Sequence, residues 1–348
     1  MKRIFALLLA LCLLFSFVGC GKGEAVRDFG SNHAPTTEPT VQTQPTELET
    51  HPTELEILPT EPESGTITPS LYKVSDDNGH VIWLFGSIHV GYDYFYPLPE
   101  YVTQAYEASD ALAVECDIVA FQKDLSAQME ALQGMVYLDG TRISDHIPEE
   151  LYTEAVAALT DAGVYMSALD MYKPILWFSF IDSALYEKIG AQSDMGIDLH
   201  FLNGAYETGK KILEVESAKF QYEMLAGFSE ELQLLLLEEI VPAYQNPLGT
   251  LLQTQSMVNL WASGDAEGLA AMLQTEEAFE SEEERLLYEE YSNALIVQRN
   301  ISMADWAEEA LASGDTVFIV VGAAHVVGPG AMADLLAQRG YTVETVGP

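Results

Sequence analysis

Val81-Ile82-Trp83-Leu84-Phe85-Gly86-Ser87-Ile88-His89 and Val317-Phe318-Ile319-Val320-Val321-Gly322-Ala323-Ala324-His325 share one construction: an apolar run, a glycine, two residues and a histidine. Apolar runs of this length bounded by glycine read as buried strands. The glycine lets the backbone turn sharply or approach a neighbour closely, so each histidine is expected just beyond the carboxyl end of its strand. In open α/β sheets that edge is where ligands sit. One histidine so placed is an ordinary structural feature. Two, on strands from opposite ends of the chain, point to a shared site.

A third apolar run, Ala111 to Val114, ends in Glu115-Cys116-Asp117, which brings a carboxylate to the same edge if the strands are parallel. Two imidazoles and a carboxylate suit a divalent transition metal with an open position for water. His89, His325 and Glu115 are therefore the candidate ligands, with Glu115 either a ligand or the general base. No His-Glu-x-x-His helix occurs, so the site is not that of a helix-based zinc peptidase. Ser87 lacks a Gly-x-Ser-x-Gly setting and reads as a backbone or water contact. The amides of Gly86 and Gly322 are candidate oxyanion donors. Tyr92, Tyr94, Phe95 and Tyr96 form an aromatic loop after His89, part of it free to grip a peptide.

Outward from these strands, Leu71 to Val74 and His80 to Phe85 read as a hairpin across the turn residues Asp76-Asp77-Asn78-Gly79, followed by a helical pattern to Ser109. From Pro148 to Gly314 the pattern is helical, with a short strand at Lys211 to Val215. Alternation returns with a strand from Thr316 to Val321, a helix from Ala331 to Gln338 and a strand from Tyr341 to Val346. The expected fold is α/β: a central mixed sheet built by the first and last thirds, with a large helical insertion acting as a cap.

The amino terminus places this domain outside the cytoplasm. Lys2-Arg3, the apolar run Ile4 to Leu14 and Val18-Gly19-Cys20-Gly21 read as a lipoprotein signal over residues 1–19 with lipidation at Cys20, although Phe17 stands where Leu is usual. The apolar run is too short for a spanning helix. Residues 20–68, rich in Pro, Thr and Glu with Pro-Thr-Glu-Leu at Pro45 and again at Pro52, read as a disordered spacer, and residues 69–348 as one domain. Of three cysteines, Cys12 leaves with the signal and Cys20 carries lipid, so Cys116 has no partner for a disulfide. A formal net charge of -39 excludes nucleic acid as a partner; an acidic surface gathers divalent cations and basic peptides, although most of these carboxylates read more simply as a solvated exterior. Membrane contact is then through the lipid anchor alone.

Leu84-Phe85-Gly86-Ser87-Ile88-His89-Val90-Gly91 and Val321-Gly322-Ala323-Ala324-His325-Val326-Val327-Gly328 resemble the two signature motifs of the TraB/GumN family. Val114-Glu115-Cys116-Asp117, Gly196-Ile197-Asp198, Lys210-Lys211, Glu214-Val215-Glu216 with Gln221, and Arg299-Asn300 follow in the family's order, so the resemblance spans Tyr72 to Val346. It implies an architecture of the EreA/ChaN kind and metal-dependent cleavage of peptides or protein termini, with manganese or cobalt favoured and zinc left open. It also implies that His89, His325 and Glu115 are metal and catalytic residues. Arg299 and Asn300 then bind a substrate carboxylate or stabilise an oxyanion, or else form a structural cap or ion pair ahead of the helix Met303 to Ala312, while Asp198 and Glu216 take structural or orienting roles. The other reading keeps the cleft without the chemistry, as a lipoprotein that sequesters a peptide.

Overall fold

In β1 (Leu71–Ser75) and β2 (Val81–Ser87) the hairpin forms as the turn residues dictate. Asp76 Oδ1 accepts from the backbone N–H of Asn78 and His80 at 2.9 and 2.8 Å, and Gly79 takes a positive φ of 84°. The computed structural model describes residues 67–273, 279 and 281–347; the signal sequence, Cys20 and the spacer up to residue 66 lie outside them. Ile67 and Thr68, assigned by composition to the spacer, pack on the domain. Ile67 is 3% exposed within the core, and Thr68 N donates to Ala262 O at 2.6 Å.

After β2 come α1 (Glu100–Glu107), β3 (Ala111–Val114), α2 (Ile118–Lys123) and α3 (Leu125–Leu132). The helical middle follows: α4 (Glu149–Asp161), α5 (Pro174–Lys188), α6 (Ile197–Thr208), β4 (Lys211–Glu214), α7 (Ala218–Ala226), α8 (Glu230–Gln245), α9 (Leu248–Ala262) and α10 (Ala266–Leu273). The chain closes with α11 (Glu282–Ser292), α12 (Gln298–Ser313), β5 (Val317–Gly322), α13 (Ala323–Val326), α14 (Met332–Gln338) and β6 (Thr342–Val346).

The strands form one mixed sheet in the order β4-β3-β5-β2-β1-β6. β5 is central and parallel to both β2 and β3, and β3 is parallel to β4. β1 runs antiparallel to β2 and β6. Every residue of β3 and β5 is buried, as parallel strands covered on both faces require. First and last thirds thus share the sheet as expected, and β4 joins its edge from within the helical middle. That insertion has a core of its own. α5 is apolar nearly all round, with Ile175, Leu176, Trp177, Phe178 and Ile181 buried, because it packs against both α4 and α8.

α11 and α12 are joined by a π-helical turn, Asn293–Val297, in which Gln298 N donates to Asn293 O. Arg299 and Asn300 therefore sit inside a helix that starts at Gln298, not ahead of one starting at Met303, which corrects the cap expected from sequence.

Candidate active site

Strand register creates the site. Gly86 pairs with Val321, Ser87 with Gly322, and Val114 with Val320, so the carboxyl ends of β2, β5 and β3 finish side by side. Glu115 and both glycine-histidine motifs leave from that edge. The motifs then diverge in form: His89 follows β2 in a bend, whereas Gly322 caps α13 and His325 lies within its single turn. A Cβ built on Gly322 would stand 3.2 Å from Glu115 Oε1, 3.6 Å from His89 Nε2 and 3.6 Å from His325 Cδ2. The carboxylate and both imidazoles thus approach one point beside the Gly322 backbone, and all three residues are buried.

Each imidazole is held from behind through Nδ1. His89 Nδ1 lies 2.7 Å from Asp198 Oδ2, and Asp198 Oδ1 accepts from the Ser87 hydroxyl at 2.6 Å. A carboxylate can only accept, so His89 Nδ1 carries the proton and Nε2 faces the site. His325 Nδ1 lies 2.7 Å from Asn300 Oδ1, while Asn300 Nδ2 donates to Gly330 O at 2.9 Å. With that amide nitrogen occupied, His325 Nδ1 must donate, leaving Nε2 with its lone pair. His325 Nε2 is buried without a hydrogen-bond partner.

The two rings differ in charge preference. Burial, with Arg299 nearby, pushes the His325 pKa down to about 3, despite the opposing charge of Glu115. Burial also opposes charge on His89, but the charge and hydrogen bond of Asp198, aided by Glu115, raise its pKa overall.

Glu115 is the hub of a buried network. Oε1 accepts from Gly322 N at 2.7 Å; Oε2 accepts from Gln221 Nε2 at 3.0 Å and Arg299 Nη2 at 2.6 Å. Arg299 also donates through Nε and Nη2 to Glu216 at 2.8–3.1 Å, and through Nη1 to Leu295 O in the π turn at 3.2 Å. Burial alone would raise the Glu115 pKa, but Arg299, His325, His89 and the Gly322 N–H together hold it at about 2. A carboxylate held ionised by these partners is available as a ligand or a fixed charge.

The same network engages the remaining candidates. Arg299 is bound to two carboxylates, so its guanidinium fixes Glu115 in place. Gly322 N is bound to Glu115 and the Ser87 hydroxyl to Asp198. A Cβ on Gly86 would stand 2.9 Å from Ala323 Cα, so this glycine permits β2 and α13 to meet. The Cys116 thiol is pushed well up by burial and by Glu115, which leaves it inert. In the aromatic loop, Tyr92 and Phe95 are buried, Phe95 lies 5.1 Å from the Trp261 ring, and Tyr96 donates to Met195 O at 2.8 Å. Most of that loop is packing.

Two sets of contacts were not legible in sequence. Trp261 on α9 donates to Gly86 O at 2.7 Å, tying the helical insertion to the first motif. At the start of α6, Ile197 N donates to Ile88 O at 3.1 Å, and a Cβ on Gly196 would come within 2.6 Å of His89 O. Gly196-Ile197-Asp198 therefore clamps the first motif by its backbone and, through Asp198, by its imidazole. Among the described residues, no three His, Cys, Asp or Glu side chains already close into a metal cage.

Fold and site together define a class: an α/β domain with two histidines and a glutamate gathered at the carboxyl edge of a mixed sheet. The chain belongs to the TraB/PrgY/gumN family, whose model matches residues 70–345. It is similar to YbaP, an uncharacterized protein of Escherichia coli K12, with 24% identity over 257 residues, 73% of this chain and 86% of that one. YbaP of Shigella flexneri matches to the same extent. The metalloprotease TIKI2 of Danio rerio is 23% identical over 305 residues, covering 76% of this chain and 58% of that protein. No solved structure matches at comparable stringency.

Proposed function

We propose that this protein is a metal-dependent peptidase held outside the cell by lipid on Cys20. The observation that carries the reading is the approach of Glu115 Oε1, His89 Nε2 and the His325 ring to one point, with each Nδ1 held by an oxygen acceptor. Histidines that bind metals are typically held in this way, with the distal N–H on a carboxylate or carbonyl that fixes tautomer and ring orientation. The unpartnered Nε2 of His325 carries a free lone pair, and neutral imidazole is the ligand form. The donor set fits a divalent transition metal, with manganese or cobalt ahead of zinc by family resemblance, and His89, His325 and Glu115 would hold it. Bound there, the metal would supply Lewis acidity toward water and a peptide carbonyl.

The chain's own residues prepare that centre. Asp198 and Asn300 orient the imidazoles, and the Arg299 bridge to Glu216 keeps Glu115 ionised and fixed. Burial of all three site residues keeps bulk water away. A family that contains a relative named as a metalloprotease supports hydrolysis, and the acidic chain favours peptides that are not themselves acidic.

The test is to purify the chain without chelator, measure its metal, and incubate metal-loaded protein with a diverse peptide library read by mass spectrometry. Discrete cleavage products that vanish in folded His89→Ala and His325→Ala, together with metal binding, are expected. Tight peptide binding with no cleavage under any metal would make the protein a sequestering lipoprotein instead. The anchor is tested separately: Cys20→Ser should move the protein from the detergent phase to the aqueous phase, and an unmodified wild-type Cys20 would remove the lipid from the proposal.

A further inference from the structure

A cavity of about 240 Å³ lies in the helical insertion, between residues 137–147 and the amino-terminal ends of α5 and α8. His89, Glu115 and His325 take no part in its lining, so it is a place apart from the candidate active site. Ile147, Pro174, Phe228 and Leu234 give it apolar surface. One wall is flat: the Tyr137 and His146 rings stack with centroids 4.0 Å and planes 6° apart. Thr141 fixes that imidazole. Its hydroxyl lies 2.7 Å from His146 Nε2 and donates its own proton to Asp139 Oδ1 at 2.7 Å, so Nε2 is the donor between them. Gln233 also lines the cavity, but its amide is engaged by Phe228 O and Ile175 N.

Three charges complete the lining. Lys173, just ahead of α5, is half-buried, and Glu230 and Glu231 open α8. Among the described residues, the Lys173 ammonium and both carboxylates make no hydrogen bond or ion pair. Burial, then the charges of Glu230 and Asp139, push the Tyr137 phenol up to about 12, which sets Glu230 near the flat wall. Opposite charges that share a small cavity without pairing leave both signs available to an occupant. A bare cation would meet Lys173 and a bare anion the two glutamates, whereas a zwitterion satisfies both. The volume falls below the roughly 300–1,000 Å³ typical of sites for drug-sized ligands, which limits the occupant to about one amino acid.

We propose that this cavity binds a free α-amino acid with a large apolar side chain, of leucine or phenylalanine type. Its carboxylate meets Lys173, its ammonium meets Glu230 and Glu231, and its side chain lies against Phe228, Ile147 and Leu234. The inference is independent of the peptidase reading, and no metal enters its test. The test is calorimetry on the full chain in detergent, with chelator present and with L-leucine, glycine, leucinamide and N-acetyl-leucine as probes.

L-Leucine should bind at one site per chain. Leucinamide, which lacks the carboxylate, and N-acetyl-leucine, which lacks the ammonium, should each bind about tenfold more weakly or worse, the order that one hydrogen bond to a charged group is worth. Glycine, a zwitterion with no side chain to bury, should also lose about tenfold or more. Lys173→Gln should weaken leucine and abolish its advantage over leucinamide. Glu230→Gln combined with Glu231→Gln should abolish its advantage over N-acetyl-leucine. Both glutamates are exposed and Lys173 is half-buried, and the melting temperature of each variant without ligand checks that it is folded. No binding of leucine at millimolar concentration overturns the proposal. Binding that every variant retains places the ligand elsewhere and overturns it too, and leucinamide bound as tightly as leucine would make the cavity a cation site instead.

Discussion

Glu115 keeps its charge because Arg299 and the Gly322 N–H above all favour the carboxylate over burial's opposition, and this makes its removal measurable in metal-free protein. Glu115→Gln takes one partner from a buried ion pair, a change that typically costs about 3–5 kcal/mol at neutral pH. The folded pKa of about 2 lies below the ordinary value of 4.5, so the stabilisation is complete above the ordinary value and lost as pH falls toward the folded one. The melting temperatures of wild type and Glu115→Gln should therefore differ most at neutral pH and converge between pH 4.5 and 2. A constant difference across that range would mean that Glu115 acts by packing. Asp198→Asn probes orientation instead. An amide can donate as well as accept, so the His89 tautomer is no longer fixed, and metal affinity should fall by roughly 10- to 100-fold in competition with a fluorescent chelator. Unchanged affinity would remove Asp198 from the proposed metal site. Glu115, His89 and His325 were legible in the sequence because strand, glycine and side chain follow one another locally. Their partners Asp198 and Arg299 were singled out by family resemblance, but which residue each holds was not: Asp198 lies 109 positions from His89, and Arg299 lies 184 from Glu115. A single sequence carries no signal for pairings made by tertiary packing.

The same limit governs the elements. β3 and β5 were readable because apolar runs covered on both faces leave a continuous pattern, and the hairpin because Asp76 to Gly79 specify a turn. The placement of β4 at the sheet edge was less so, since its residues are only half-buried and could have packed elsewhere. The π turn was invisible. One extra residue rotates everything after it by about 100°, given 3.6 residues per turn, and no residue type marks the insertion. The result is that Arg299 and Asn300, neighbours in sequence, are both buried, one on Glu115 and the other on His325. Gly196 tests how α6 fixes the first motif. With the built Cβ 2.6 Å from a backbone oxygen, Gly196→Ala must displace either the helix start or the His89 loop. Overpacking of this kind costs about 1–3 kcal/mol, so the melting temperature should drop and metal affinity with it. A variant with wild-type stability and metal binding would show that the clamp does not position His89.

At the scale of the whole molecule, composition and packing give different answers for residues 67 and 68, at the junction of the proposed spacer with the domain. Composition places the change after Thr68, where the Pro- and Thr-rich stretch gives way to alternating apolar residues. Packing places it earlier: Ile67 is buried, and Thr68 donates through its backbone to Ala262 O and through its hydroxyl to Ser263 O at 3.2 Å. These contacts fall at the α9–α10 corner, adjoining Trp261, whose indole holds Gly86 O. The entry of the chain is thus two short steps from the first histidine motif. Removing residues 21–66 should leave thermal stability and metal affinity at wild-type values, because few side chains there could build a core. Extending the deletion through residue 68 removes Ile67, and loss of a buried isoleucine side chain costs about 2–5 kcal/mol. Calorimetry on the two truncations should therefore give a wild-type melting temperature for the first and a clear drop for the second. If the longer truncation also lowers metal affinity, the α9–α10 corner transmits the loss through Trp261 to Gly86. If both truncations melt with wild type, the contacts of Ile67 and Thr68 contribute nothing and the boundary read from composition is the physical one.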